Sequence, residues 1–190
     1  MIDLQGYEDV TPALHGDFSK LPPDGYICQI VNSELTNSKA GNPMLVLSVD
    51  IAEGEFKGFF QDAAKRFNKW SNDAIFRQLI FGNNRRVSSF FKGLIACFIQ
   101  SNPSFNFNPR AFNEQILRGL FIGFIFAQEE YQKRDGSIAT RVVVKFPRNV
   151  SDIRNKNFSV PDIKRLAPVA ETQKPDGFGG TPVSDFDTPF

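Results

Sequence analysis

Apolar and polar positions alternate at two periods along this chain, and the change of period divides it. In "LPPDGYICQIVNSEL" a proline pair and a turn precede Tyr26, Cys28 and Ile30 alternating with Ile27, Gln29 and Val31, which predicts a first strand. The stretch "NSKAGNP" is a loop by composition. Next, "PMLVLSVDIAEGEFKGFFQD" places Leu45, Leu47, Val49 and Ile51 on one face and predicts a turn at Glu53-Gly54-Glu55. A third strand is then expected through Phe59 and Phe60, which point to opposite faces, one into the core and one outward. Between residues 70 and 101 the spacing becomes helical in "SNDAIFRQLIF" and "VSSFFKGLIACFIQS", with Ser71 and Ser88 or Ser89 as N-caps. After the loop "NPSFNFNPR", the runs "LRGLFIGFIFAQEEY" and "ATRVVVKFP" flank an Asp-Gly turn and form a hairpin.

Three strands, helices and two further strands predict a mainly β fold with helices. This is the order of the OB-fold, a five-stranded barrel with helices between strands 3 and 4. Other small barrels and an α+β sandwich fit the same order. Residues 1–166 are expected to form this domain with its N- and C-terminal extensions, and "RNVSDIRNKNFSVPDIKRL" would wrap on the barrel or reach a neighbouring subunit. Residues 167–190 hold Pro, Gly, Thr and Asp with little aliphatic content, so they cannot offset their ordering entropy and are predicted to be a disordered tail.

Charge changes the picture once it is divided along the chain. Residues 1–64 carry net −7, residues 65–92 net +6, residues 93–166 net +5 and the tail net −3, which together leave +1. A basic middle therefore lies between acidic flanks. Phenylalanine occurs 21 times, partly inside the basic segment. Cys28 and Cys97 lack CxxC spacing in apolar surroundings and read as free thiols, and the single histidine, His15, gives no metal centre or histidine-based acid-base machinery. No metal or cofactor is expected. No apolar run reaches membrane-spanning length and "MIDLQGYEDV" lacks the features of a secretory signal, so the default location is cytoplasmic, without membrane association.

The strongest candidate constellation is "AAKRFNKWSND", with Lys65, Arg66, Phe67, Lys69 and the only tryptophan, Trp70. Single-stranded nucleic acid demands this mixture, because cations track phosphates while flat rings stack on unpaired bases. The competing reading makes Phe67 and Trp70 core rings. Phe60 is the further ring candidate. In "RVVVK" period two sets Arg141, Val143 and Lys145 on one strand face, either a second cationic row or a solvated outer face. Arg85 and Arg86 in "GNNRRV" suit phosphate contact or a solubilising turn equally. Glu53 and Glu55, and Glu129 and Glu130, adjoin expected turns where solvated acids are routine, and no GxxxxGK[ST], GxSxG or HExxH occurs. An enzyme is not expected.

Residues 17–166, through "LPPDGYICQIVNSELTNSKAGNPMLVLSVDIAEGEFKG", "LRGLFIGFIFAQEEYQKRDG" and "FSVPDIKRL", resemble the diverged single-stranded-DNA-binding proteins of bacteriophages and mobile elements of Gram-positive bacteria. Separately, the terminal "DFDTPF" is similar to the acidic tip of bacterial single-stranded-DNA-binding proteins. That resemblance implies docking on replication, recombination and repair enzymes through Asp185, Asp187, Pro189 and Phe190. Phe186 interrupts the acids and Thr188 stands where that family carries an aliphatic residue. The expected function is sequence-nonspecific binding and protection of single-stranded DNA in a bacterial or phage-infected cell, with a homo-oligomer possible in principle. The rival is a recombination or structural adaptor whose barrel binds protein.

Overall fold

The computed structural model describes residues 20–82 and 85–166. Strands β1 (Gly25–Asn37), β2 (Pro43–Ile51), β3 (Ile75–Leu79), β4 (Phe121–Gln132) and β5 (Ile138–Arg148) form one antiparallel sheet in the order β3-β2-β1-β4-β5. Helix α1 (Phe59–Phe67) lies between β2 and β3, α2 (Ser89–Ser101) between β3 and β4, and α3 (Val150–Arg154) after β5. The fold is thus mainly β, as expected, but α1 separates β3 from the first two strands instead of following three strands in succession. Cys28 and Cys97 are free.

Two expected elements exchange their types. The third strand through Phe59 and Phe60 is instead the start of α1, and the helix expected near residues 70–81 is instead a short 3-10 turn (Asn72–Ala74) followed by β3. Phe56, Phe59, Phe60, Ala63 and Phe67 recur at spacings of three and four, a helical stripe that the adjacent phenylalanines disguise as a strand. In β3 the inner Phe76 is buried, as is Ala74 just before the strand, while the outer positions Ile75 and Leu79 are apolar as well, so the two-residue alternation is invisible in the sequence. Ser71 still caps, but for the 3-10 turn; Ser88 caps α2 as predicted by accepting from the Phe90 N–H.

Aromatic rings fasten α1 to the sheet. Phe60 stacks on Phe126 of β4 with centroids 5.7 Å apart and planes within 18°, while Phe59 meets Phe60 edge-on at 5.1 Å. Tyr26 of β1 contacts both Phe126 and Phe56, closing a chain of rings from the sheet to the helix. The N-terminus of α1 is capped by a neighbour from another element: buried Asp50 accepts from the Phe60 N–H at 3.0 Å and the Ile51 N–H at 2.9 Å. In the same core, Phe91, Leu94, Ile95 and Phe98 of α2 join Leu45, Leu47, Ile122 and Phe124.

Residues 155–166 pack back against β1 and β4. The Phe158 ring covers Gly25 so closely that a Cβ there would lie 2.4 Å from it. Further on, Lys164 pairs with β4 by donating to the Gln128 carbonyl at 3.0 Å and accepting from the Glu130 N–H at 2.9 Å.

Candidate nucleic-acid interface

The register sorts the expected site residues between two ends of the sheet. Met44 at the start of β2 faces Leu79 at the end of β3, so the turn carrying Arg85 and Arg86 stands beside the β1–β2 loop. Ser48 faces Ile75 at the opposite end, where α1, the 3-10 turn and the β4–β5 hairpin gather. An ion pair of 3.6 Å between Arg141 and Asp73 ties the hairpin to that turn.

At this second end, the last turn of α1 projects Lys65, Arg66 and Phe67, with Lys69 following. Phe67 is 62% exposed. Lys65 pairs with Asp62 one turn back at 3.2 Å, a solvated contact that contributes little. Trp70, by contrast, is half-buried, packs on the core and has its indole N–H buried without an acceptor. It packs at the exit of α1, with part of its surface still open. Phe60 is 3% exposed, so the outward ring expected there is corrected: stacking on Phe126 uses its face inside the core. Its neighbour Phe59 is the partly buried member of the pair, and it lines two adjoining grooves. One, of about 390 Å³, also holds Arg66 and Phe67; the other, of about 420 Å³, holds Lys20 and Arg141. Residues remote in sequence thereby share one surface.

Arg141 and Lys145 converge on one acid. Glu129 accepts from Arg141 Nη2 at 2.7 Å and from Lys145 Nζ at 2.5 Å, and Arg141 also lies over the Tyr131 ring. A β-bulge between Ile125 and Phe126 places Lys145 opposite no single residue, so the simple alternation of Arg141, Val143 and Lys145 breaks and Val143 and Val144 are both buried. Glu129 is therefore no solvated turn acid: its side chain is 14% exposed. Burial pushes its carboxyl up, yet the hydrogen bonds and charges of Lys145 and Arg141 outweigh this and hold it below its usual range. Asp73 behaves oppositely, its carboxyl raised chiefly by burial although Arg141 draws it down.

Because the folded Glu129 titrates below its unfolded range, its ion pairs contribute stability above that range and lose it as pH falls through the depressed folded value. Glu129→Gln is expected to flatten this part of the acid limb in thermal unfolding scanned from neutral to acidic pH. An acid limb identical to that of the unsubstituted protein would deny Glu129 the linkage.

Sequence reasoning missed Arg77, exposed on the outer face of β3 opposite Val46, because this stretch reads as helical. It also passed over Lys133 and Arg134, which are exposed at the β4–β5 turn. Arg85 has φ 58° and is exposed, in a turn closed by the Gly82 N–H donating to the Arg86 carbonyl at 2.8 Å. Among the described residues no group of three or more His, Cys, Asp or Glu could hold a metal ion, and no helix is long and apolar enough to cross a membrane. The tip residues Asp185, Asp187, Pro189 and Phe190 lie outside the described residues. A search of curated proteins finds no match to this chain. Residues 8–99, from ahead of β1 into α2, match the model of a family described as "Protein of unknown function (DUF669)".

Proposed function

We propose that this protein binds single-stranded DNA with little sequence preference, using an OB-fold whose strand path crosses the outer face of β2 and β3. The observation that carries the reading is the exposed cation and ring cluster at the end of α1, where Arg66 and Phe67 share a groove with Phe59. Cations there would neutralise phosphates while Phe67 and Phe59 meet unpaired bases. Arg77 lies midway along β3 toward Arg85 and Arg86 at the other end, giving the backbone a succession of positive charges. The strand order supports the OB-fold: β3 and β5 are the sheet's two edges, and the Arg141–Asp73 pair brings β5 to the turn that opens β3. The resemblance in residues 17–166 points the same way.

In this reading Glu129 occupies Arg141 and Lys145 until phosphate competes for them. The tail would recruit replication or recombination proteins through Asp185, Asp187, Pro189 and Phe190, starting from a root at Leu166, whose N–H donates to Glu130 beside the β4–β5 hairpin.

Titration of a fluorescent dT oligonucleotide at two salt concentrations tests the reading. With about four phosphates neutralised, the single-strand slope of roughly −0.7 per phosphate predicts an affinity loss of about fiftyfold between about 50 and 200 mM salt. Duplex DNA of equal length should bind far more weakly, because paired bases cannot offer their faces. Salt-insensitive binding, or equal affinity for duplex, would overturn it.

A further inference from the structure

Residues 74–113 contain no aspartate or glutamate; they carry Arg77, Arg85, Arg86, Lys92 and Arg110 together with eight phenylalanines. The stretch is therefore both basic and aromatic. Part of it forms the hairpin between β3 and α2, in which Phe81 and Val87 pair across the turn that holds Arg85 and Arg86. The hairpin exposes an apolar surface: Phe90 is 76% and Val87 57% exposed, with Phe81 and Leu79 also open. Phe90 occupies the first turn of α2, and its N–H is held by the Ser88 hydroxyl at 3.2 Å, so the ring projects from a fixed backbone. The Ser88 N–H donates to the Ile80 carbonyl at 2.8 Å and fastens the start of α2 to the end of β3.

A large exposed ring on a capped helix start, bordered by the exposed Arg85, suits a planar and anionic occupant. We infer that the β3–α2 hairpin is a second nucleic-acid subsite, in which Phe90 and Phe81 stack on bases and Arg85 contacts the backbone of the same single strand held at α1. This rests on the proposed single-strand function and extends it. From Ile75 to Phe81 the chain advances about 20 Å at the usual rise of a strand, so the two subsites are separated by β3 and the residues that follow it. A short oligonucleotide occupies one subsite; a long one reaches both. The occupant is a nucleic acid rather than an acidic protein because ring faces and cations alternate here, whereas an acidic partner would need only the cations.

The experiment compares dT oligonucleotides of about four and about sixteen nucleotides, the usual limits of site size on one OB-fold. It uses the full chain and the variants Phe90→Ala, Arg85→Ala and the pair combined. Phe90 and Arg85 are exposed, so melting temperatures should be unchanged. The pair is expected to lower affinity for the long strand about tenfold or more and for the short strand by less, removing most of the advantage of length. Phe90→Tyr should restore it. If the unsubstituted chain binds the long strand and the folded double variant binds it equally, the hairpin subsite is refuted while the function at α1 stands. If the unsubstituted chain binds neither oligonucleotide, both readings fall. Concentration-dependent self-association abolished by Phe90→Ala, with DNA affinity unchanged, would assign the hairpin to contact between copies and overturn the subsite.

Discussion

Replacing Lys65, Arg66 and Phe67 together with alanine is expected to weaken binding of a dT oligonucleotide by about a hundredfold or more. Loss of a stacking ring alone costs about 1 to 3 kcal/mol, and two lost phosphate contacts add to it at low salt. The fold should survive, because α1 is held from its other side by Phe60 on Phe126 and by Asp50 at its N-terminus. The Lys65–Asp62 pair lost with Lys65 is solvated and worth little to stability. Lys65→Ala with Arg66→Ala should reduce the slope of affinity against salt, whereas Phe67→Ala should weaken binding at every salt concentration. Fluorescence anisotropy measures both, and melting temperature controls for folding. Affinity within about twofold in the folded triple variant would move the binding site away from α1.

Asn102→Ala is expected to lower stability by about 3 kcal/mol, seen as a drop of about 10 °C in melting temperature. Asn102 ends α2 and is buried, with its Nδ2 donating to the carbonyls of Phe98 and Phe121, both at 2.8 Å. Its Oδ1 accepts from the Phe121 N–H at 3.0 Å. One side chain therefore joins the helix that closes the core to the first residue of β4. Alanine leaves the Phe121 groups without these partners in a partly buried site, where an unmet donor or acceptor costs about 1 to 3 kcal/mol. Asn102→Asp keeps the acceptor but turns a carboxylate toward two carbonyls, so it should be as harmful at neutral pH and recover part of the loss in acid. A melting temperature within about 2 °C of the original for Asn102→Ala would show that α2 and β4 are held together without it.

Much of the fold is legible in the sequence where one face is apolar and the other polar. β2 shows this in Leu45, Leu47, Val49 and Ile51, and α2 shows it in its Ser88 cap followed by Phe91, Leu94, Ile95 and Phe98. α1 and β3 exchange types because the adjacent Phe59 and Phe60 disguise the helical stripe of α1, while β3 carries apolar residues on both faces. For the candidate site, local composition marks the α1 cluster, since its parts are contiguous. It cannot mark the capture of Arg141 by Glu129, which depends on pairing across a turn. Counting outward from Asp135 by equal steps nevertheless sets Glu129 opposite Arg141, as in the observed register. Lys145 escapes even that count, because the bulge shifts the pairing beyond Val144.

The return of residues 155–166 over the sheet sets where the protein can be shortened. Phe158 shields Gly25, and Lys164 occupies backbone groups of β4 at Gln128 and Glu130 that β1 does not reach. A fragment cut after α3 would uncover that length of strand as an open edge, a template for pairing with another chain. Leu166, not Arg154, is therefore the earliest sound place to join this protein to a tag or a second domain.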